Sequence, residues 1–268
     1  MNPMHPPHIR AYHTRRFTVY HDASVSLESA VEILQEPGET IKSSSKAFTR
    51  RVGRWLVKES RGGSLSEVFK HVTKPERYRA VWSTSLALRE RGVPIPMPLA
   101  YFERKLLRRT ISHAYICEFM RGYVSVEDYA RSLGGHHANP DAVNQFLSRL
   151  ALALRQLEAA GGYHADLSGK NILTTDGEQF VFVDLDAMSL VNTIDENMRL
   201  KNHVQLYDSF CDQWTTEYLT PFLASLLPDT LRADAWMPQV WKGQRERRAR
   251  SEAIWRREGR PPQRFFPA

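Results

Sequence analysis

His164-Ala-Asp166-Leu-Ser168-Gly-Lys170-Asn171, followed by Asp184-Leu-Asp186, is the stretch whose reading decides the fold. Its form is H-x-D-L-x-x-x-N and then D-x-D, so a carboxylate, an amide and a second carboxylate appear in fixed order. Moving a phosphoryl group needs these three: one carboxylate to orient the attacking hydroxyl, and an amide with another carboxylate to hold Mg²⁺ on the phosphates. Asp166, Asn171 and Asp184 are the candidates for those roles. The plain alternative is a turn rich in Asp and Asn that only caps a helix or closes a hairpin.

The flanks favour the chemical reading. Leu147, Leu150, Leu154 and Leu157 recur at helical spacing from Pro140-Asp141 onward, and Gly161-Gly162 is suited to ending that helix. After Asn171-Ile-Leu-Thr-Thr comes Asp176-Gly177, a pair suited to the positive φ of a tight turn. Phe180-Val-Phe-Val183 then reads as a short strand delivering Asp184 at its end. Helix, loop, hairpin and acid follow in the order that a protein-kinase-like catalytic lobe requires.

The first half of the chain can be read as the partner lobe. Arg54-Trp-Leu-Val-Lys58-Glu59 resembles the strand whose lysine grips phosphates, which makes Lys58 the nucleotide-binding candidate. A helix is expected from about Lys74 to Arg91, with Tyr78, Trp82 and Leu86 on one face, stopped by Gly92-Val-Pro94-Ile-Pro96. Strands are expected at Leu99–Phe102 and Ser112–Phe119, flanking 105–109 and leading to a hinge near Glu118 to Arg121. Two expected parts are altered. No G-x-G-x-x-G is present, and Lys42-Ser-Ser-Ser-Lys46 stands before Lys58 instead. The helix glutamate that pairs with the strand lysine in kinases falls on Val81, with Glu76 and Glu90 elsewhere on the helix.

At 268 residues and 42% apolar, the chain is long enough for a full core. No stretch approaches the ~20 apolar residues of a membrane span, and the first residues do not read as a signal peptide. Cys117 and Cys211 have no partner at metal spacing and read as reduced core residues of a cytosolic protein. The net charge of +7 favours an anionic partner. Lys242, Arg245, Arg247, Arg248, Arg250, Arg256, Arg257 and Arg260 concentrate part of it near the C-terminus. That segment reads either as a solvated helix face or as a patch for phosphorylated head groups and an anionic membrane surface. No nucleic-acid-binding motif accompanies it, so nucleic acid is not expected.

Several further pieces resemble the bacterial lipopolysaccharide kinases of the Kdo/WaaP type. They are Leu65-Ser-Glu-Val-Phe-Lys-His71, Trp82 ahead of Gly92-Val-Pro94, Val124-Ser-Val-Glu-Asp-Tyr129, His164-Ala-Asp-Leu with Asn171-Ile-Leu, and Val183-Asp-Leu-Asp186. Together they span about residues 55 to 205. The resemblance implies an α+β, two-lobed protein-kinase-like fold, with a small N-terminal antiparallel sheet carrying one helix and a larger, mainly helical C-terminal lobe. Residues 1–120 would form the nucleotide-binding lobe and 121–268 the catalytic and acceptor lobe. It further implies transfer of the γ-phosphate of ATP, with Mg²⁺, to a hydroxyl of heptose or Kdo in a lipid-linked core oligosaccharide. The implied place is the cytoplasm, beside the inner membrane. Carried over, Asp166 is the base, Asn171 and Asp184 are the metal ligands, Lys58 grips the phosphates, and His164 holds the loop by hydrogen bonds.

Departures from protein kinases favour a small or glycan acceptor. No A-P-E follows Asp184, Ala165 replaces the arginine before the catalytic Asp, Ser168 stands where a lysine is usual with Lys170 two positions on, and Asp186 replaces the glycine of D-F-G. A pseudokinase binding a glycolipid or protein, and a small atypical Ser/Thr protein kinase, remain the alternatives. Acceptor contacts are expected between Met188 and Trp214, where Asn197, Arg199 and Lys201 lie.

Overall fold

The computed structural model describes residues 8–43, 47–60, 76–106 and 109–259. Leu65–His71, the middle of the Lys42–Lys46 turn, the helix start at Lys74, the side chains of Glu76 and Tyr78, and Arg260 lie outside the described residues. The chain divides into two compact units, 1–91 with 95–121, and 92–94 with 122–268.

The N-terminal unit is built on a seven-stranded antiparallel sheet. Its strands are β1 (Ile9–His13), β2 (Phe17–Asp22), β3 (Glu39–Ser43), β4 (Ala47–Val52), β5 (Trp55–Ser60), β6 (Pro98–Leu106) and β7 (Arg109–Glu118), in the order β1-β2-β6-β7-β5-β4-β3. Helix α1 (Leu27–Gln35) joins β2 to β3, and helix α2 (Glu76–Glu90) precedes β6. Among the described residues the sheet thus has a helix, α1, beyond the one expected. Ser26 caps α1 by accepting a hydrogen bond from the Ser29 amide, and Leu27, Val31 and Leu34 pack at i, i+4 and i+7 onto the core.

Alternation along the strands assigns each face a helix. Val57 pairs with Ile116, and with Ala114 and Phe102 they form the apolar cluster against α1. Arg50 belongs to this face too: it ion-pairs with Glu59 and donates to the Glu36 and Leu34 carbonyls at the end of α1. The other face belongs to α2. Lys58 pairs in register with Tyr115, so both point that way. The Tyr115 hydroxyl meets Ser85 Oγ of α2 at 3.3 Å, and Trp82 packs against Tyr101 and Tyr115 with ring centroids 6.4 and 6.3 Å away. Val81 is buried. The charged link from α2 to the sheet is Arg79 to the buried Glu103, at 2.7 Å.

The second unit is mainly helical. Helix α3 (Val126–Ser132) follows β8 (Val124–Ser125), and α4 (Pro140–Ala159) is the long central helix. Asn139 caps α4, Pro140 opens it, and Val143, Phe146, Leu147, Leu150, Leu154 and Leu157 are buried along one stripe. Beyond Ala159 the chain turns at Gly161, φ +73°, a conformation that glycine adopts without a Cβ clash. Strands β9 (Gly162–His164), β10 (Ile172–Thr174), β11 (Val181–Phe182) and β12 (Met188–Leu190) pair as β8-β10-β11 and β9-β12. Helices α5 (Glu196–Phe210), α6 (Thr216–Ala224) and α7 (Ala233–Arg257) complete the unit. Among the described residues, no helix is long and apolar enough to cross a membrane. Both cysteines are free thiols. Burial pushes each up to about 12, although Cys211 is only partly buried rather than a core residue.

Candidate active site

The site grows from two short antiparallel pairings. β9 ends in His164, and β10 and β11 form a hairpin whose second strand leads to Asp184. The hairpin turn is tight because Thr174 Oγ1 accepts from the Gly177 amide at 2.8 Å, while Asp176 Oδ1 accepts from Glu178 and Gln179. Gly177 sits at φ +74°, and a Cβ there would lie 2.4 Å from the Tyr129 ring. That ring's hydroxyl donates to the Asp176 carbonyl at 2.7 Å. The strand expected over Phe180–Val183 is paired only at Val181 and Phe182.

His164 is fully buried and ties the two halves together. Nε2 donates to the Val183 carbonyl at 2.8 Å, and Nδ1 accepts from the Asp166 amide at 3.1 Å. Both bonds suit a neutral ring. Burial lowers its proton affinity below the ordinary value, against opposing pulls from the Val183 carbonyl, Asp184 and Asp166. The Val183 amide in turn donates to the Asn171 carbonyl at 2.9 Å. The residue before Asp184 is therefore bound both to His164 and to Asn171. Asp184 itself adopts the left-handed conformation, φ 57° and ψ 54°, the one non-glycine residue with positive φ among the described residues. Asp tolerates this better than most residues, and such strain concentrates at functional sites.

Asp166 and Asn171 are brought into direct contact. Asn171 Nδ2 donates to the Asp166 carbonyl at 2.8 Å, to its Oδ2 at 3.1 Å and towards Ser168 Oγ at 3.4 Å. The amide nitrogen is thus committed to the loop, which leaves Oδ1 as the atom able to meet a cation. Ser168 is buried, with its hydroxyl turned to Asn171 and its carbonyl accepting from the Asn171 amide. Lys170 reaches back, with Nζ 3.8 Å from Asp166 Oδ2. The Asp166 side chain keeps 36% of its surface exposed, so a hydroxyl can approach it.

Residues on α5 and α7 complete the surroundings, and no motif in the sequence marks them for this place. Gln205 is buried; its Oε1 accepts from the Leu167 amide at 2.9 Å, and its Nε2 donates to the Ala165 carbonyl at 3.2 Å and towards Asp166 Oδ1 at 3.4 Å. Ser209, one turn on, accepts from the Gly169 amide at 2.8 Å. Arg247 of α7 places Nη2 4.0 Å from Asp166 Oδ1. The i, i+4 pair Gln205 and Ser209 was the available signal, two polar groups on one helix face. Arg199 behaves otherwise. It is buried, ion-paired with Glu158 and bonded to the Leu226 carbonyl at 3.0 Å, a role within the core. Lys58 lies in the other unit, on the α2 face of its sheet.

Among the described residues, no group of three His, Cys, Asp or Glu side chains could hold a metal ion. Two oxygen donors that could meet a cation are the carboxylate of Asp184 and the amide oxygen of Asn171. Such hard oxygen ligands, few in number, suit Mg²⁺, which takes the rest of its shell from phosphates and water.

The lipopolysaccharide kinase (Kdo/WaaP) family model matches residues 28–225. Among solved structures, WaaP in complex with acyl carrier protein is similar, with a TM-score of 0.61 and 20% identity over 80% of this chain and 91% of that one. A crystal structure of WbdD is similar at a TM-score of 0.51 and 13% identity, over 78% of this chain and 46% of that one. At these identities the likeness is one of fold, and it supports the kinase-like architecture. No curated protein matches the chain.

Proposed function

Because the chain belongs to the lipopolysaccharide kinase (Kdo/WaaP) family, we propose that it transfers the γ-phosphoryl group of ATP to a sugar hydroxyl of the lipopolysaccharide inner core, heptose or Kdo. The observation that carries this reading is the half-exposed Asp166, held in place by Asn171 and Gln205 with the Asn171 amide oxygen left open. Asp166 would accept a hydrogen bond from the acceptor hydroxyl and take its proton as the oxygen attacks the γ-phosphorus. The bond from that phosphorus to the β-γ bridging oxygen breaks, and ADP leaves with the electron pair. Asn171 Oδ1 and Asp184 would hold Mg²⁺, which supplies charge neutralisation on the phosphates. Lys58 would grip the phosphates, and Lys170 would stand beside the transferred group. His164 keeps the loop closed by its two hydrogen bonds and takes no proton from substrate. A lipid-linked acceptor places the reaction on the cytoplasmic face of the inner membrane, reached through the basic C-terminal helix.

The test is transfer itself. Protein with Mg²⁺ and ATP should label dephosphorylated core lipopolysaccharide on sugar, and Asp166→Ala should lower the rate by roughly 10²–10⁴-fold, the usual worth of a positioned acid–base group. A variant that labels as fast as the parent would overturn the assignment of the base.

One observation favours a second reading, a catalytically impaired relative that binds a glycolipid or protein. Val81, where the family carries the helix glutamate, is an apolar residue and is buried. Mg²⁺-dependent thermal stabilisation by ATP separates the two, since only the enzyme requires it. Labelling of Ser or Tyr on the protein itself would instead favour a small atypical protein kinase.

A further inference from the structure

Arg247 and Arg248 are neighbours on α7, yet their guanidinium groups are used differently. Arg248 is consumed by structure: Nε donates to Asp208 at 2.7 Å, and Nη1 and Nη2 each donate to Asp212 at 2.8 Å. Arg247 is anchored at one nitrogen, Nε to Asp208 Oδ2 at 3.1 Å. Among the described residues, its Nη1 and Nη2 make no hydrogen bond, and a third of its side-chain surface is exposed. The open edge faces the base, with Nη2 4.0 Å from Asp166 Oδ1.

The two oxygens of Asp166 have different neighbours. Oδ2 faces Asn171 and Lys170, the side proposed above for the cation and the phosphates. Oδ1 faces Gln205 and Arg247. We propose that Arg247 is an acceptor-binding residue, and that the sugar phosphorylated carries a carboxylate or phosphate close to the reacting hydroxyl. The inference deepens the phosphotransferase reading above and rests on it.

The chemistry follows from the shape of the group. A guanidinium fixed through Nε presents its two terminal nitrogens as a planar fork, which matches the paired oxygens of a carboxylate or a phosphate. Asp166, Asp208 and Asp212 balance Lys170, Arg247 and Arg248 in charge, so net charge does not create the preference. The open, already positioned donors do, because their rotamer is fixed before the ligand arrives. A hydroxyl bonded to Asp166 and an oxyanion bonded to Arg247 would stand about 5 Å apart, within one sugar residue.

Calorimetric titration of the whole chain, without ATP, tests this. The ligands are a Kdo-bearing core oligosaccharide and its carboxyl-reduced form, and a heptose oligosaccharide with and without its phosphate ester. One acidic form should bind about 10–100-fold tighter than its neutral counterpart, the worth of hydrogen bonds to a charged group. Which pair shows the difference tells carboxylate from phosphate. Arg247→Met should shrink the preference to about twofold, and Arg247→Lys, which keeps the charge and the fold but loses the fork, should leave an intermediate one. Arg250→Met, on the exposed face of the same helix, should keep it. A parent protein that binds acidic and neutral forms alike, or a preference that survives both Arg247 variants, overturns the proposal. The two readings fail separately: acid-selective binding without phosphoryl transfer overturns only the kinase, and transfer without acid selectivity overturns only the role of Arg247.

Discussion

Gln205 Nε2 stands 3.4 Å from Asp166 Oδ1 while the other end of the same amide accepts from the Leu167 backbone at 2.9 Å. One buried side chain on α5 therefore fixes both the course of the loop from His164 to Asn171 and the facing of the Asp166 carboxylate. Replacing Gln205 with Leu leaves the Leu167 amide and the Ala165 carbonyl without their partner, at a cost of about 1–3 kcal/mol. The kcat should fall roughly 10–100-fold, because a base displaced by an ångström loses its approach to the hydroxyl. The KM for ATP should stay within about twofold, since the groups assigned to phosphate and cation are untouched. Steady-state rates and urea denaturation read the two effects. An unchanged kcat would show that Asp166 is positioned without Gln205.

Asp184 combines a left-handed backbone with the ligand role proposed for it, and a single substitution separates them. Asn also favours the left-handed conformation, so Asp184→Asn should keep the fold within about 0.5 kcal/mol of the parent. It removes the anionic oxygen that a hard cation prefers. The apo melting temperature should therefore stay put while Mg²⁺-dependent stabilisation by ATP disappears. If the variant still shows full Mg²⁺-dependent stabilisation, Asp184 does not hold the metal.

Arg199 lies in the segment where acceptor contacts were expected, and its surroundings give it a different task. Its guanidinium is buried against Glu158 and the Leu226 carbonyl, linking α5 to α4 and to the end of α6. Arg199→Met should cost about 2–4 kcal/mol, since one partner of a mostly buried pair is removed. Glu158 is more exposed and regains water, which keeps the loss below that of a fully enclosed pair. Acceptor KM, measured on the folded fraction, should not change. A raised KM with unaltered stability would return Arg199 to the acceptor site.

What could be read from sequence divides along the distance between partners. His164, Asp166, Asn171 and Asp184 lie within one loop and hairpin, where turn chemistry and spacing place them with no knowledge of the rest. The α4 stripe was equally plain, because twenty residues of helical period leave little room for another reading. Helix α1 is hard to read from sequence because it is only nine residues long, and the Ser26 cap with the spacing of Leu27, Val31 and Leu34 is its one signal. Gln205 and Arg247 could not have been assigned. Their roles come from α5 and α7 packing beside the loop, and a charge run says nothing about which arginine is spent on Asp208 and Asp212. Arg199 shows the same gap from the other side, since a basic residue in a helix does not reveal which face is inside.

His203 offers a prediction about pH. Its ring is buried on α5 and accepts a hydrogen bond from Trp236 Nε1 at 3.0 Å through Nδ1. Burial, helped by the Arg199 charge, lowers its pKa to about 3 from the ordinary 6.5. His164 is shifted in the same direction, by burial. A histidine held neutral in the fold but free to protonate in the unfolded chain gives the unfolded state the extra proton. Its contribution is complete above about pH 6.5 and is lost as the pH falls towards 3. For His203 the loss at pH 5 is about 2 kcal/mol. Urea titrations at pH 7, 6 and 5 should therefore show stability falling with a slope approaching one proton from His203, with His164 adding to the fall in the same direction. His203→Gln offers a carbonyl to Trp236 but cannot protonate, and should reduce that slope by about one proton. A parent protein as stable at pH 5 as at pH 7 would mean that His203 is not held neutral.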